Sequence, residues 1–171
     1  MTNQVSAATS LAYGYSAGVP IEKTDFVGNV TMGQWHTHDY QSKGRSIKRI
    51  DVCFTAQVIK GIGMTFWGDD AQYAAGDWNN PKLSNTFTTL HEDDLLAKFG
   101  ISTDPSMAQG SVRGLYLQTK KGKEFTAGYV TSPYSWLDVD QCALMGFYAW
   151  ENVDRFIAAL GLWITVRPKS V

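Results

Sequence analysis

The sequence predicts an all-β protein built from three related sheets, and three observations carry that expectation. Short runs rich in β-branched and aromatic residues recur, at "SIKRIDVCF" (46–54), "NTFTTL" (85–90) and "SVRGLYLQT" (111–119). Glycine and Asn-Pro steps punctuate the chain at short intervals, and no long amphipathic helix is visible between them. One template also recurs: "VIKGIGM" (58–64), "LLAKFGI" (95–101) and "FIAALGL" (156–162) superimpose Gly63, Gly100 and Gly161. Each copy follows an apolar or β-rich run, which predicts three strand pairs in three related sheets.

Taken in order, residues 1–25 are an N-terminal arm of uncertain order, with Ser, Ala, Gly and Tyr in no clear period, and residues 26–171 form one domain. In 46–54, Ile47, Val52 and Phe54 are the apolar members, with Asp51 and Thr55 polar. Three lysines around a glycine in "QTKKGKEF" (118–125) read as a solvated hairpin tip. The stretch "DRFIAALGLWI" (154–164) fits both a helix capped by Asp154 and a strand with Phe156, Ala158, Leu160, Leu162 and Ile164 on one side. The all-β context favours the strand, and so does Gly161, since a mid-helix glycine costs about 1 kcal/mol relative to alanine.

A chain of 171 residues with 44% hydrophobic and 18% charged residues buries a core without disulfide staples. Cys53 and Cys142 are read as small buried hydrophobes. A net charge of −1 argues against a nucleic-acid partner. No window is apolar enough for a membrane span, and no secretory signal is visible. The expected location is cytoplasmic, or released without a recognisable signal peptide.

In that order of segments the chain resembles the jacalin-related lectins. "SIKRIDVCFTAQVIKGIGMTF" (46–66) is similar to their early hairpin, "GSVRGLYLQTKKGKEFTAGY" (110–129) to a strand ending in a Thr-centred turn, and "CALMGFYAWENVDRFIAALGLWI" (142–164) to their closing hairpin. The resemblance covers roughly 26–166. It implies a β-prism of three four-stranded Greek-key sheets with pseudo-threefold symmetry, no enzymatic activity, and metal-free binding of mannose- or galactose-type sugars. The family's sugar loop runs Gly-x-x-x-Asp into the last strand, where the aspartate accepts hydrogen bonds from sugar hydroxyls. Here Asp154 stands at the glycine and Ala158 at the aspartate, and alanine has no acceptor. The equivalents in the other copies are read as Lys60 and Ala97. Of the family's Gly-Gly loop, "VGNVTMGQW" (27–35) keeps Gly28 and Gly33.

The expected function is a carbohydrate-binding lectin with a non-standard site, taking a mono- or oligosaccharide or glycoconjugate, with no cofactor. A homo-oligomer is left open. Candidate contacts come from the turn "WENVDRF" (150–156), from the 100–110 loop and from the 66–80 loop. In the turn, Glu151, Asn152 and Asp154 are candidate substitutes for the missing acceptor, Trp150 is a stacking platform, and Arg155 and Phe156 complete it. In "FWGDDAQYAAGDWNN" (66–80), Trp67 and Trp78 are candidates to stack on a pyranose and Asp69 and Asp70 to accept from it. That stretch reads equally as a loop whose aromatics pack down on the domain. "WHTHDY" (35–40) places His36 and His38 on one side of a strand, the start of a metal site only if further ligands join them. The alternative function is a β-prism that has lost sugar binding and serves as a protein-interaction or assembly module, through an apolar patch near Trp150, Trp136 and Tyr134.

Overall fold

The computed structural model describes residues 19–30, 35–42, 44–104, 106 and 111–166. These contain thirteen strands and no helix: β1 Ile21–Lys23, β2 Val27–Gly28, β3 Trp35–Gln41, β4 Ile47–Phe54, β5 Ile59–Phe66, β6 Asp69–Gly76 and β7 Ser84–Thr89 lead the chain. β8 Leu96–Thr103, β9 Val112–Thr119, β10 Glu124–Gly128, β11 Ser135–Trp136, β12 Leu144–Asn152 and β13 Ile157–Thr165 follow. The stretch 154–164 is thus a strand, as its glycine and context indicate.

The strands form three antiparallel sheets in the orders β6-β5-β4-β7, β10-β9-β8-β11 and β1-β13-β12-β3, with β2 also on β13. In each of the first two, a three-strand meander is followed by a strand that returns to pair with the first, which is a Greek key. The third sheet has the same order, except that its third and fourth strands come from the beginning of the chain. The molecule is a β-prism. Its sheets face one another through alternate residues: Ile50, Val52, Ile62 and Met64 from one, Phe99, Ile101, Leu115 and Leu117 from the next, Phe147, Leu160 and Leu162 from the last. Full burial of such side chains stabilises by about 1.5–3 kcal/mol each.

Three parts of the sequence reading change. β1 pairs with β13, Glu22 opposite Ile164, so the sheet takes in residues read as arm. Residues 66–76 of the segment read as a loop are a hairpin: β5 turns through Trp67-Gly68 into the eight-residue β6. The second copy of the template is also misplaced, because "LLAKFGI" lies on the first strand of its sheet while the other two copies lie on second strands.

The register supplies the correct equivalence. Each third strand ends in a glycine of positive φ, Gly76 at +75°, Gly128 at +85° and Gly28 at +131°. These lie opposite Gly61, Gly114 and Ala159. A Cβ on them would sit 2.2, 2.3 and 2.2 Å from the carbonyl oxygens of Lys60, Arg113 and Ala158. Arg113, not Ala97, therefore shares a place with Lys60 and Ala158. The sequence misleads because a glycine and an aromatic residue have changed strands: Gly161 lies opposite Tyr148, whereas Gly100 lies opposite Tyr116. "NTFTTL" likewise belongs to β7, which pairs with β4 and not with β8.

Candidate functional site

The β12–β13 turn is a tight hairpin. Asn152 N–H donates to Phe156 O at 2.9 Å, and Arg155 N–H to Asn152 O at 2.8 Å. The Asn152 side-chain oxygen accepts from Asp154 N–H at 2.8 Å, so this fully buried amide shapes the turn. Arg155 takes the left-handed position, φ 60°, that short hairpin loops require and that glycine or asparagine ordinarily fills. The backbone so placed turns the Arg155 side chain back across the sheet, where Nη2 donates to Gly76 O at 2.9 Å and Nε lies 3.5 Å from Glu151 Oε2.

Glu151 is buried, and its carboxylate is already engaged. Oε1 accepts from Gly76 N–H and from His38 Nε2, both at 2.8 Å. His38 Nδ1 lies 3.1 Å from Tyr40 Oη, and that hydroxyl donates to Ala74 O at 3.1 Å. Burial pushes the Glu151 carboxyl up, but the Gly76 N–H, His38 and the Arg155 charge together hold it below its ordinary value. The network ties β3, β6 and the β12–β13 turn together.

Beside it opens a cleft of about 710 Å³ between β3 and the turn. Trp35, His36 and Thr37 form one wall, Val153 and Arg155 the other, with His38 and Glu151 between them. Ala158 is not in this cleft. It is wholly buried with Val58 and Phe156, and Trp35 packs over them. The residue aligned by sequence with the family's acid thus lies in the interior, away from the cleft surface.

The other two corners differ. Arg113 fills its own: Nε donates to Tyr129 O at 2.9 Å, Nη2 to Ala56 O at 3.0 Å, and Nη1 to Asp104 Oδ2 at 3.1 Å. The Ser106 hydroxyl and N–H, with Arg113, hold the Asp104 carboxyl below the usual carboxylate range. Lys60 reaches the neighbouring turn, its Nζ donating to Asp154 O at 2.9 Å.

The candidate residues are thus divided. Glu151 and Arg155 line the cleft, and Asp154 stands exposed on the adjoining turn. Asn152 and Phe156 are buried and support the turn. Trp150 lies against Phe26, ring centroids 4.7 Å apart, and against Tyr148 at 5.6 Å. The 66–80 candidates are spread along the β5–β6 hairpin and the segment that follows it. At one end Asp69 accepts from Ala71 N–H and Tyr73 Oη, while Trp67 lies under Lys48 Nζ. Asp70 is exposed beside it. Trp78 follows β6, and its ring covers Gly63 in the middle of β5, where a Cβ would meet it at 2.8 Å. Of the 100–110 loop, residues 105 and 107–110 lie outside the described residues, as does Gly33. Among the described residues no group of three or more His, Cys, Asp or Glu side chains is placed to hold a metal ion. No helix among them is long and apolar enough to cross a membrane. Trp35 and Gly76 were missed by sequence reasoning; only the His36/His38 alternation pointed toward this face.

The fold is that of the jacalin-related lectins. The structure is similar to frutapin, a lectin from Artocarpus incisa, with TM-score 0.66 and 18% identity over 86% of this chain and 98% of that one. It is similar to a mannose-binding jacalin-related lectin from Ananas comosus, with TM-score 0.64 and 15% identity over 86% and 99%. A lamprey immune protein gives TM-score 0.70 and 13% identity over 88% of this chain, which spans only 46% of that protein's length. By sequence, no family model and no curated protein matches the chain.

Proposed function

We propose that the protein is a carbohydrate-binding protein whose ligand seats in the cleft between β3 and the β12–β13 turn, held without the aspartate that the lectin family uses. The Arg155 guanidinium carries this reading. It is anchored at two points by Gly76 O and Glu151, yet its side chain is 61% exposed at the mouth of an open cleft. A guanidinium donates only, so it grips hydroxyl or carboxylate oxygens. Asp154 supplies an exposed acceptor on the adjoining turn, and His36 and Thr37 add polar groups opposite. Trp35 gives a wall for the apolar face of a pyranose. Glu151 acts as a positioning residue. Support comes from the fold shared with sugar-binding proteins and from the position of the cleft at the turn where the family's sugar loop lies.

The test is a glycan-array screen of the full chain, with hits checked by calorimetry with and without chelator. A specific hit that survives the chelator supports the reading. A blank from folded protein overturns it and favours the protein-interaction alternative.

A further inference from the structure

Away from the cleft, Trp136 stands in an unusual setting. Its indole is 55% exposed although its position is fixed from several sides. It lies across Gly100, where a Cβ would come within 2.8 Å of the ring. Tyr116 meets it nearly edge-on, centroids 5.6 Å apart at 87°, and Tyr134 flanks it at 5.3 Å. The next residue is pinned to β8, Leu137 N–H donating to Phe99 O at 2.9 Å. A mobile surface tryptophan would need no explanation. A rigid indole presented to water is a binding platform.

Cavities of about 320 and 310 Å³ are both lined by Trp136. The first lies where β1 of one sheet meets β11 of another, and Glu22 and Asp25 share it with the indole. Lys23 is paired with Asp39 at 2.8 Å, and Thr24 Oγ1 donates to Asp25 O and accepts from Leu162 N–H. The second cavity is lined by Lys98, whose Nζ lies 5.6 Å from the indole centroid, and by Ala97 and Val139. From these features we infer that the Trp136 corner is a second saccharide subsite, independent of the cleft, that takes a neutral pyranose stacked on the indole.

The chemistry of the corner selects that class. An indole face matches the C–H face of a pyranose, and carboxylate oxygens accept from its hydroxyls. The Lys98 ammonium, on a long flexible side chain that lines the second cavity, adds a donor. Because that ammonium already lies over the indole, the ring's attraction for a cationic ligand is in use. Two small cavities flanking one indole suit one or two sugar rings and are too small for a packed protein element.

The experiment titrates the full chain, labelled with nitrogen-15, with methyl pyranosides of mannose, galactose, glucose and N-acetylglucosamine, and with maltotriose and chitotriose. The Trp136 indole N–H reports this corner; the Trp35 indole and His36 report the cleft, so failure of one reading is seen separately from failure of the other. The expected result is a saturable shift of the Trp136 signal with at least one sugar. Trp136→Ala and the conservative Glu22→Gln, each shown folded by its amide spectrum, then weaken that binding at least tenfold. No shift at Trp136 with any of the sugars overturns the inference, as does unchanged affinity in both variants. A shift produced by an oligolysine peptide and by none of the sugars also overturns it, and assigns the corner to a basic peptide.

Discussion

Arg155 folds back over its own turn onto the buried Glu151, Nε 3.5 Å from Oε2, while the same carboxylate takes Gly76 N–H and His38 at 2.8 Å on its other oxygen. One acid thus fixes the turn, the end of β6 and the middle of β3. Removing it leaves a backbone N–H and two side chains without their acceptor. Glu151→Ala is expected to destabilise the protein by about 1–3 kcal/mol, the range for leaving a buried donor without its acceptor. Urea denaturation followed by tryptophan fluorescence measures this; a loss within error of zero contradicts the assigned network.

The same carboxyl sets an acid limit. Its folded-state pKa lies below the ordinary 4.5, so folding favours the ionised form. That contribution is complete above the unfolded value and disappears as pH falls through the folded one. Urea midpoints measured downward from about pH 6 are expected to drop below pH 4.5 more steeply in the wild type than in Glu151→Gln. Parallel curves exclude Glu151 as the source.

Two glycines of similar φ separate backbone preference from crowding. Gly122, at +93°, has nothing within 4 Å of a built Cβ, whereas at Gly128, at +85°, the Cβ would meet Arg113 O at 2.3 Å. Gly122→Ala is expected to cost about 1–2 kcal/mol, the penalty for a left-handed backbone. Gly128→Ala adds the overpacking penalty of about 1–3 kcal/mol. Equal midpoints for the two in thermal unfolding would show that the third-strand glycines are not held by close approach.

Returning the family's acid does not restore the family's site. Ala158 is wholly buried with Val58 and Phe156 beneath Trp35, so Ala158→Asp places a carboxyl where no water reaches. The expected outcome is destabilisation of several kcal/mol, at least the roughly 2–7 kcal/mol of an unpaired polar group, with no new affinity for mannose or galactose. A stable Ala158→Asp protein that gains such binding, measured by calorimetry, contradicts the placement of Trp35.

The fold was legible because strand period, turn chemistry and repeated apolar runs agree along β4, β9, β12 and β13. The equivalence of the three sheets was less so. Gly100 and Gly161 look alike in sequence, but each faces an aromatic residue on the partner strand, Tyr116 and Tyr148, and only the register shows that the roles have been exchanged. The candidate site was half legible. The turn 150–156 is local, so its residues could be read together. Its supports are not local: Glu151 meets His38 across 113 residues, and Arg155 meets Gly76 across 79. Trp67 and Trp78 were grouped for being close in sequence, although Trp67 sits in the turn under Lys48 and Trp78 packs over Gly63 in mid-β5.

The most direct test of the carbohydrate reading compares the wild type with Arg155→Gly. Glycine accepts the left-handed turn at φ 60°, so the hairpin is kept while the guanidinium is lost. Calorimetry with the sugar selected by the glycan array is expected to show at least a tenfold weaker affinity in Arg155→Gly, with the protein still folded. Unchanged affinity in the folded variant would contradict the assignment of the cleft as the site.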